Sequence, residues 1–192
     1  DSLYKTFPDR PNLITKREVR IQILADLELP ENGIIWDIGA GSGTIGLEAL
    51  RIRPNLKLFS IDKRLGTKQI ITDNAKLLNV SPENIFEDDI KKILADKLNR
   101  SLEPPSRIII GGCNRKTKIF VIDELSRFIS SGAILVLPVI SYEVLQETKQ
   151  LLEDLNFKVY LNLIQTYKGL SISEGTRFEP NNPVFILKAK KL

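Results

Sequence analysis

The sequence contains no histidine and only one cysteine, and both shortages exclude classes of chemistry. Without histidine the chain cannot form a serine–histidine–aspartate triad or a histidine-ligated metal site, and histidine-based general catalysis is also excluded. Because Cys113 is alone, neither an internal disulfide nor a thiolate zinc cluster can form. We therefore expect no metal centre.

Long apolar runs are also missing. The longest, at 132–140, falls well short of the roughly 18 residues that a membrane-spanning helix needs, and the start shows no signal-peptide pattern. We therefore expect a cytoplasmic protein with no membrane partner. A chain of 192 residues with 42% hydrophobic and 27% charged residues fits one globular domain. We predict an irregular arm at 1–14, broken by Pro8 and Pro11, then a single domain at 15–192.

The charge balance favours an anionic partner. There are 28 lysines and arginines against 24 acidic residues, which gives a net charge of +4. By charge alone, nucleic acid and a small polycarboxylate are equally allowed. The basic residues are dispersed along loops rather than gathered in one block, which weighs mildly against RNA.

Short apolar runs alternate with stretches of helical periodicity, and this alternation predicts the fold class. The predicted strands cover 34–38, 57–61, 84–86, 107–110, 133–139, 157–164 and 184–187, with helices at 68–78 and 143–155 among them. We predict a Rossmann-like α/β fold with about seven strands, a mostly parallel sheet and helices on both faces. A polar stretch at 167–182, with no helix, separates the last two strands and permits an antiparallel last strand. Pro104 and Pro105 indicate an exposed loop at 98–106.

The first helix has a start signal. Thr15 and Glu18 fit a capping box, in which each side chain bonds a free backbone amide of the first turn. Its apolar face is then formed by Val19, Ile23, Leu24 and Leu27. Lys16 and Arg17 lie off this face in the first turn, where the helix dipole disfavours cations by about 0.3–1 kcal/mol each. We predict that both face an anionic ligand in the active site.

A glycine-rich loop after the first strand is the main candidate for ligand binding. Asp37 is followed by Gly39, Ala40, Gly41, Ser42 and Gly43, and the alternate glycines let the backbone turn sharply and a ligand approach closely. Asp62 ends the next strand, where a carboxylate can accept two hydrogen bonds from a ribose diol. The pattern indicates a nucleoside site.

Two nucleoside ligands compete for this loop. The residues from Gly41 to Gly46 also match the G-x-G-x-x-G pattern of dinucleotide sites. That register starts the loop two residues late and leaves Asp37 beside a pyrophosphate of like charge, whereas a cationic sulfonium tail attracts a carboxylate. S-adenosylmethionine therefore fits better than NAD.

Four segments carry a family resemblance: 15–20 (TKREVR), 36–43 (WDIGAGSG), 109–112 (IIGG) and 182–185 (NPVF). With them the sequence resembles the class I S-adenosylmethionine-dependent methyltransferases. Among these it is most similar to the decarboxylating precorrin methyltransferases of cobalamin biosynthesis, the C15-methylating part of precorrin-6Y C5,15-methyltransferase. The resemblance implies methylation of a precorrin at C15 with loss of the C12 acetate carboxyl, and it runs from about Thr15 to the last residue.

The resemblance also implies site residues. Besides Asp37, cofactor contacts are expected at Thr15, Gly39, Ala40, Gly41, Ser42, Gly43, Asp62, Asp89 and Ile90, with an acidic side chain on the adenine amino group. For Asp88 and Asp89 the alternative is an ordinary solvated helix N-terminus. Substrate contacts are expected at Lys16, Arg17, Gly111, Gly112, Arg115 and Arg177, whose cations would hold carboxylates at the carboxyl edge of the sheet. The catalytic residues stay unassigned.

Two departures and several alternatives stand beside this prediction. Pro138 replaces a small or polar family residue, and the Gly111-Gly112 pair leads into Cys113-Asn114-Arg115 rather than a further glycine-rich turn. A lone cysteine is more often a small apolar filler than a nucleophile. An RNA methyltransferase of the same fold and a non-catalytic cofactor-binding subunit remain alternatives. A homo-oligomer and a companion C5-methyltransferase, fused or separate, also remain open.

Overall fold

The structure is a computed structural model of the chain and describes residues 2–10, 14–96 and 102–192. Residues 11–13 of the predicted arm and 97–101, which include the start of the predicted loop at 98–106, lie outside the described residues. The elements are α1 (Arg17–Asp26), β1 (Gly33–Ile38), α2 (Thr44–Ile52), β2 (Leu56–Ile61), α3 (Thr67–Leu78), β3 (Asn84–Phe86), α4 (Ile90–Ala95), β4 (Arg107–Ile110), α5 (Arg115–Phe128), β5 (Ile134–Val139), α6 (Tyr142–Asp154), β6 (Phe157–Ile164), β7 (Tyr167–Ile172), β8 (Gly175–Pro180) and β9 (Val184–Lys191).

The main sheet has seven strands in the order β3-β2-β1-β4-β5-β9-β6. The ladders from β3 through β5 are parallel, and β9 runs antiparallel to both β5 and β6. The predicted fold class, with its antiparallel last strand, is confirmed. None of the helices within 2–10, 14–96 and 102–192 has the length and apolar character of a membrane span.

Helices cover both faces of the sheet, which explains why the central strands are almost continuously apolar. Successive strand residues point to opposite faces. Ile35 and Ile109 accordingly pack with residues of α1, α2 and α3. Trp36 and Ile108 pack with residues of α4, α5 and α6 on the other face. Every parallel strand therefore ends at one edge, between two helical layers.

The predicted capping box at Thr15 is wrong. The first helix begins at Arg17, its N-cap is Lys16, and no side chain caps it. Instead, the Thr15 carbonyl accepts a hydrogen bond from Arg20 Nη1 at 2.5 Å, while Arg20 Nε donates to Glu48 Oε1 on α2 at 2.9 Å. This tertiary contact holds the residues before the helix. The predicted apolar face is correct, since Val19, Ile23 and Leu27 are buried and Leu24 packs beside them.

The polar stretch at 167–182, predicted to contain no helix, forms a β-hairpin. Strands β7 and β8 pair from Tyr167 with Pro180 to Ile172 with Gly175, in a two-stranded sheet of their own. The stretch shows no apolar alternation because nearly every hairpin side chain is exposed.

The N-terminal arm is irregular but packed. Phe7 is buried, and Tyr4 Oη donates to Glu48 Oε1 on α2 at 2.7 Å. Lys5 Nζ lies 2.9 Å from Asp73 Oδ2 on α3. Residues 2–10 therefore lie against the two helices that flank the glycine loop.

Candidate active site

A cavity of about 780 Å³ opens at the carboxyl ends of β1, β2 and β4, the edge where open α/β sheets bind ligands. Its wall combines the loop after β1, the residues after β2, the start of α4, the turn after β4 and part of the N-terminal arm. The polar or loop residues that line it include Arg10, Thr15, Asp37, Gly39, Ala40, Gly41, Ser42, Asp62, Lys63, Arg64, Asp88, Asp89, Gly111, Gly112, Cys113 and Asn114.

The glycine loop is in contact with the turn that follows β4. Gly39 has φ 72°, and a Cβ built on it would lie 2.6 Å from the backbone nitrogen of Gly112. Gly112 N in turn donates to Gly39 O at 3.3 Å. A glycine is therefore required at 39, both for its positive φ and for the approach of the two loops.

Asp62 is held by backbone donors on both sides. Its Oδ2 accepts from Gly41 N at 2.8 Å, and its Oδ1 accepts from Arg64 N at 2.9 Å. An ionised carboxylate has about four acceptor positions, so each oxygen keeps capacity for a ligand. The side chain is thus fixed in the cavity wall as an oriented pair of acceptors, as the predicted ribose contact requires.

Asp37 is the buried carboxyl of the site, with 2% of its surface exposed. Its Oδ2 accepts from Gly46 N at 3.1 Å, in the first turns of α2. Burial raises the pKa of Asp37 to about 7, the negative charge of Asp62 adds to the rise, and the Gly46 hydrogen bond opposes it. A cation bound in the cavity would therefore favour the ionised form of Asp37.

The acidic pair after β3, Asp88 and Asp89, lies both at a helix N-terminus and in the cavity wall. Asp89 is the N-cap of α4, where its Oδ1 accepts from Lys91 N at 2.9 Å, and Asp88 Oδ1 accepts from Asp89 N at 2.8 Å. Asp89 is therefore a helix-capping acid. Asp88, Asp89 and Ile90 also line the cavity, so a ligand-binding role is sterically open to them.

Cys113 lies in the cavity wall and also packs against the apolar core. Burial raises the pKa of its thiol to about 11, so the thiol is protonated near neutral pH. The thiolate is the nucleophilic form of cysteine. The environment therefore fits the small apolar filler expected from the sequence.

The residues expected to bind cofactor lie together, whereas those expected to bind substrate are divided. Thr15, Asp37, Gly39, Ala40, Gly41, Ser42, Asp62, Asp89 and Ile90 all line the cavity. Gly43 lies just behind the wall, where an added Cβ would come within 2.9 Å of Ile71 Cγ1 on α3. Of the substrate set, Gly111 and Gly112 line the cavity.

The four expected substrate cations lie outside the cavity wall. Lys16, the N-cap of α1, and Arg17, its first residue, are exposed, and the Arg17 side chain is 70% exposed. Arg115 Nη2 donates to Glu147 Oε1 on α6 at 2.9 Å, so it pairs with a neighbouring helix. Arg177 is an exposed residue of the hairpin.

The cations that do line the cavity were missed by sequence reasoning. They are Arg10 of the arm, and Lys63 and Arg64 directly after Asp62. The guanidinium of Arg64 lies 4.5 Å from the ring centroid of Phe7. Lys63 and Arg64 follow the acidic end of β2, so adjacency could have identified them. Nothing local marks Arg10, which reaches the cavity through the packing of the arm.

This sheet order, the glycine loop after β1 and the acidic residue after β2 together define a methyltransferase domain of the class I, Rossmann-like fold. The family model described as "Precorrin methyltransferase domain" matches residues 7–191, and the chain belongs to that family.

Relatives and solved structures agree with this assignment. A protein of Pyrobaculum aerophilum named "probable cobalt-precorrin-6B C(15)-methyltransferase (decarboxylating)" is 30% identical over 177 residues, which cover 92% of this chain and 88% of the relative. The precorrin-6y C5,15-methyltransferase structure from Geobacter metallireducens is 30% identical with a TM-score of 0.83, covering 100% of this chain and 96% of that one.

A more distant structure supports the fold alone. The precorrin 8w decarboxylase of Methanobacterium thermoautotrophicum has a TM-score of 0.85 at 20% identity, and the match covers 100% of this chain and 98% of that one.

Proposed function

We propose that this chain is an S-adenosylmethionine-dependent C-methyltransferase of cobalamin biosynthesis, which methylates C15 of a precorrin macrocycle and releases the C12 acetate carboxyl as carbon dioxide. The observation that carries the proposal is Asp62, fixed by the amides of Gly41 and Arg64 beside the glycine loop in a precorrin methyltransferase domain. The names of the Pyrobaculum and Geobacter relatives support the choice of substrate and position.

The cavity residues fit S-adenosylmethionine by their chemistry. Asp62 presents acceptors for a ribose diol, and the loop from Gly39 to Gly41 has no side chain at its two glycines to obstruct a nucleoside. Asp37 supplies a carboxylate for the cationic aminoacyl sulfonium end, and Asp89 is assigned to the adenine amino group. The remaining cofactor contacts are assigned to Thr15, Ala40, Ser42 and Ile90 in the cavity wall. Gly43 lies behind this wall and sets the conformation of the loop through its positive φ. When bound, the cofactor supplies an electrophilic methyl group and leaves as a neutral thioether.

The reaction places few chemical demands on the chain. The electron pair of the broken carbon–carboxyl bond enters the macrocycle and neutralises the charge that the methyl group brings, and proton relocation within the macrocycle leaves a methyl group at C12. The protein therefore has to hold and align the substrate, and alignment alone can supply much of the rate. This fits a chain without histidine.

The substrate is a small polycarboxylate on this proposal. Arg10, Lys63 and Arg64 place three cations in the cavity wall, where guanidinium and ammonium groups can bind carboxylates. Substrate contacts of Lys16, Arg17, Arg115 and Arg177 remain a prediction, since they require carboxylates that extend beyond the cavity.

Mass spectrometry tests the proposal directly. The purified chain is incubated with cell-derived corrinoid intermediates and S-adenosylmethionine labelled in its methyl group. We expect a product that gains one labelled methyl and loses one carbon dioxide. Asp62→Ala should weaken cofactor binding by about 1.5–3 kcal/mol in calorimetry, because two charge-assisted bonds are lost. Transfer of the label to bulk tRNA or rRNA, or preferential binding of NAD, would contradict the proposal.

We also propose that the chain self-associates through a surface formed by β6 and the hairpin. Its large apolar side chains, Leu161, Leu163, Tyr167, Ile172 and Phe178, are 45–69% exposed. Among the described residues β6 pairs with β9 alone, so its outer edge keeps unpaired backbone groups. A lone two-stranded hairpin is marginally stable in water, so a covering partner would stabilise it.

A second copy of this chain is the occupant that fits. An edge strand pairs with its own copy about a two-fold axis, and both copies then contribute the same apolar patch. Five half-exposed large side chains offer on the order of 500 Å² per copy, much of the roughly 800 Å² that a stable interface buries per partner.

Light scattering after size exclusion measures the assembly. The wild-type chain should be oligomeric, and Phe178→Lys should shift it toward monomer. Ile52→Lys, which alters a half-exposed apolar residue at the end of α2, should have no effect. A monomeric wild-type chain would refute self-association and leave the proposed reaction intact.

A further inference from the structure

Asn74 joins two segments that are remote in sequence, the N-terminal arm and the glycine loop. It lies on α3 and is fully buried. Its Oδ1 accepts from the backbone nitrogen of Lys5 at 2.8 Å, and its Nδ2 donates to the carbonyl of Lys5 at 2.9 Å. The same Nδ2 donates to the carbonyl of Ser42 at 2.9 Å. One primary amide therefore satisfies three buried or half-buried backbone groups.

The bond to Ser42 holds one peptide of the glycine loop. The Ser42 carbonyl belongs to the peptide that continues into Gly43, and Gly43 N donates to Ala40 O at 2.8 Å. On the preceding side, Gly41 N donates to Asp62 Oδ2. Holding the Ser42 carbonyl thus fixes the peptide planes around the amide that orients Asp62.

The bonds to Lys5 control the position of the arm over the cavity. Two residues further on, Phe7 is buried against the guanidinium of Arg64, and Arg10 N donates to Phe7 O at 3.0 Å. Arg10 and Arg64 both line the cavity. Arg64 N also bonds Asp62 Oδ1. The loop therefore contacts Asp62 directly, the arm contacts its neighbour Arg64, and Asn74 bonds to both the arm and the loop.

We propose that Asn74 is a positioning residue that couples arm docking to the cofactor-binding geometry of the glycine loop. A ligand that favours the loop conformation described here then favours the docked arm. The docked arm strengthens ligand binding by the same factor, because coupling between two sites is reciprocal. This inference rests on the proposed binding of S-adenosylmethionine in the cavity.

Limited proteolysis measures whether the N-terminal arm is docked. Trypsin cleaves after lysine where the backbone opens locally, and at Lys5 such opening breaks its two backbone bonds to Asn74, while its side chain is 66% exposed. S-adenosylhomocysteine, the demethylated product, should slow cleavage after Lys5 in the wild-type chain by about 5-fold or more. Trypsin also cleaves after arginine, and cleavage after Arg127, an exposed residue in the last turn of α5 outside the cavity wall, serves as an internal reference whose rate should not change.

Two substitutions then test the residue. Asn74→Asp keeps an acceptor for Lys5 N but turns an oxygen toward the carbonyls of Lys5 and Ser42, and Asn74→Leu keeps the volume without hydrogen bonds. Both should weaken S-adenosylhomocysteine binding by about tenfold and abolish its protection of the arm. In turnover, both should raise the KM for S-adenosylmethionine more than they lower kcat.

Asp73→Asn is the matched control. It changes the adjacent residue of α3 and removes the ion pair to the Lys5 side chain, yet it leaves every bond to the backbone and to Ser42. This variant should keep both the affinity and the protection.

The outcomes separate the two proposals. A wild-type chain that fails to bind S-adenosylhomocysteine refutes the proposed function. A wild-type chain that binds it while the arm is cleaved at an unchanged rate refutes the coupling, even if the Asn74 variants do not fold. Folded Asn74 variants with wild-type affinity and protection refute it as well.

Discussion

At the scale of single residues, Asp37 is poised between two protonation states. Burial raises its pKa to about 7, far above the ordinary 3.8, so the folded chain binds this proton more tightly than the unfolded chain does. Between about pH 4 and pH 7 the ligand-free protein therefore gains stability as the pH falls, and above about pH 7 the ionised carboxylate is a standing cost to the fold. A cationic ligand would offset that cost.

The affinity for S-adenosylmethionine should therefore rise with pH. If the cofactor binds the ionised form of Asp37, its affinity increases about tenfold from pH 6 to pH 8, as the ionised fraction grows through a pKa near 7. Asp37→Asn should bind more weakly at pH 8, lose this pH dependence and raise the stability of the ligand-free protein at pH 8.

Titration calorimetry at several pH values measures the affinity for S-adenosylmethionine, and scanning calorimetry measures the stability of the ligand-free protein. Asp88→Asn, which neutralises a more accessible carboxylate of the same cavity, should retain the pH dependence. An unchanged slope in Asp37→Asn would show that another group titrates.

At the scale of elements, the loops after β1 and β4 depend on each other through Gly39. Gly39→Ala should destabilise the fold by about 1–3 kcal/mol from overpacking against Gly112, with about 1–2 kcal/mol more from its left-handed backbone. Gly41→Ala shares only the second effect, since its φ is 56° and its Cβ would meet nothing within 4 Å. Urea unfolding of the two variants compares them, and equal losses would contradict a close contact at Gly39.

The sequence predicted the elements whose signals are local. The predictions were correct for the buried strands β1 and β2, for the glycine loop after β1 and for the position of Asp62 after β2. An apolar run or a set of alternate glycines reflects the backbone conformation at its own position. The glycine loop and Asp62 also line the cavity.

The errors occurred where a distant partner decides the structure. The capping box at Thr15 failed because Arg20 and Glu48 hold the preceding backbone. Arg115, whose substrate contact stays a prediction, pairs with Glu147 on another helix, which no local pattern indicated. Arg10 joins the cavity through an arm anchored by Asn74, which is 69 residues from Lys5. The hydrophobic pattern of a short stretch of sequence cannot predict contacts with residues that are distant in the chain.

At the scale of the whole molecule, the cavity joins parts of the chain from Arg10 to Thr117, which include the arm, both helical layers and the ends of three strands. A ligand that contacts all of them should stabilise the cooperative unit rather than one loop. At a concentration one hundred times its dissociation constant, a ligand specific to the folded state adds about 2.7 kcal/mol to the free energy of unfolding. For a domain of this size that corresponds to a rise in Tm of about 5–10 °C.

S-adenosylhomocysteine at that concentration should therefore raise the Tm of the wild-type chain by this amount, and scanning calorimetry measures it. Asp62→Ala should show a much smaller rise at the same concentration, because the ribose acceptors are gone. NAD should leave the Tm unchanged, since its pyrophosphate would meet the carboxylate of Asp37, which ionises above about pH 7. The measurement is best made at pH 8, where that repulsion is strongest. A rise with NAD equal to that with S-adenosylhomocysteine would show that the glycine loop binds dinucleotides, and would overturn the cofactor assignment while leaving the fold as described.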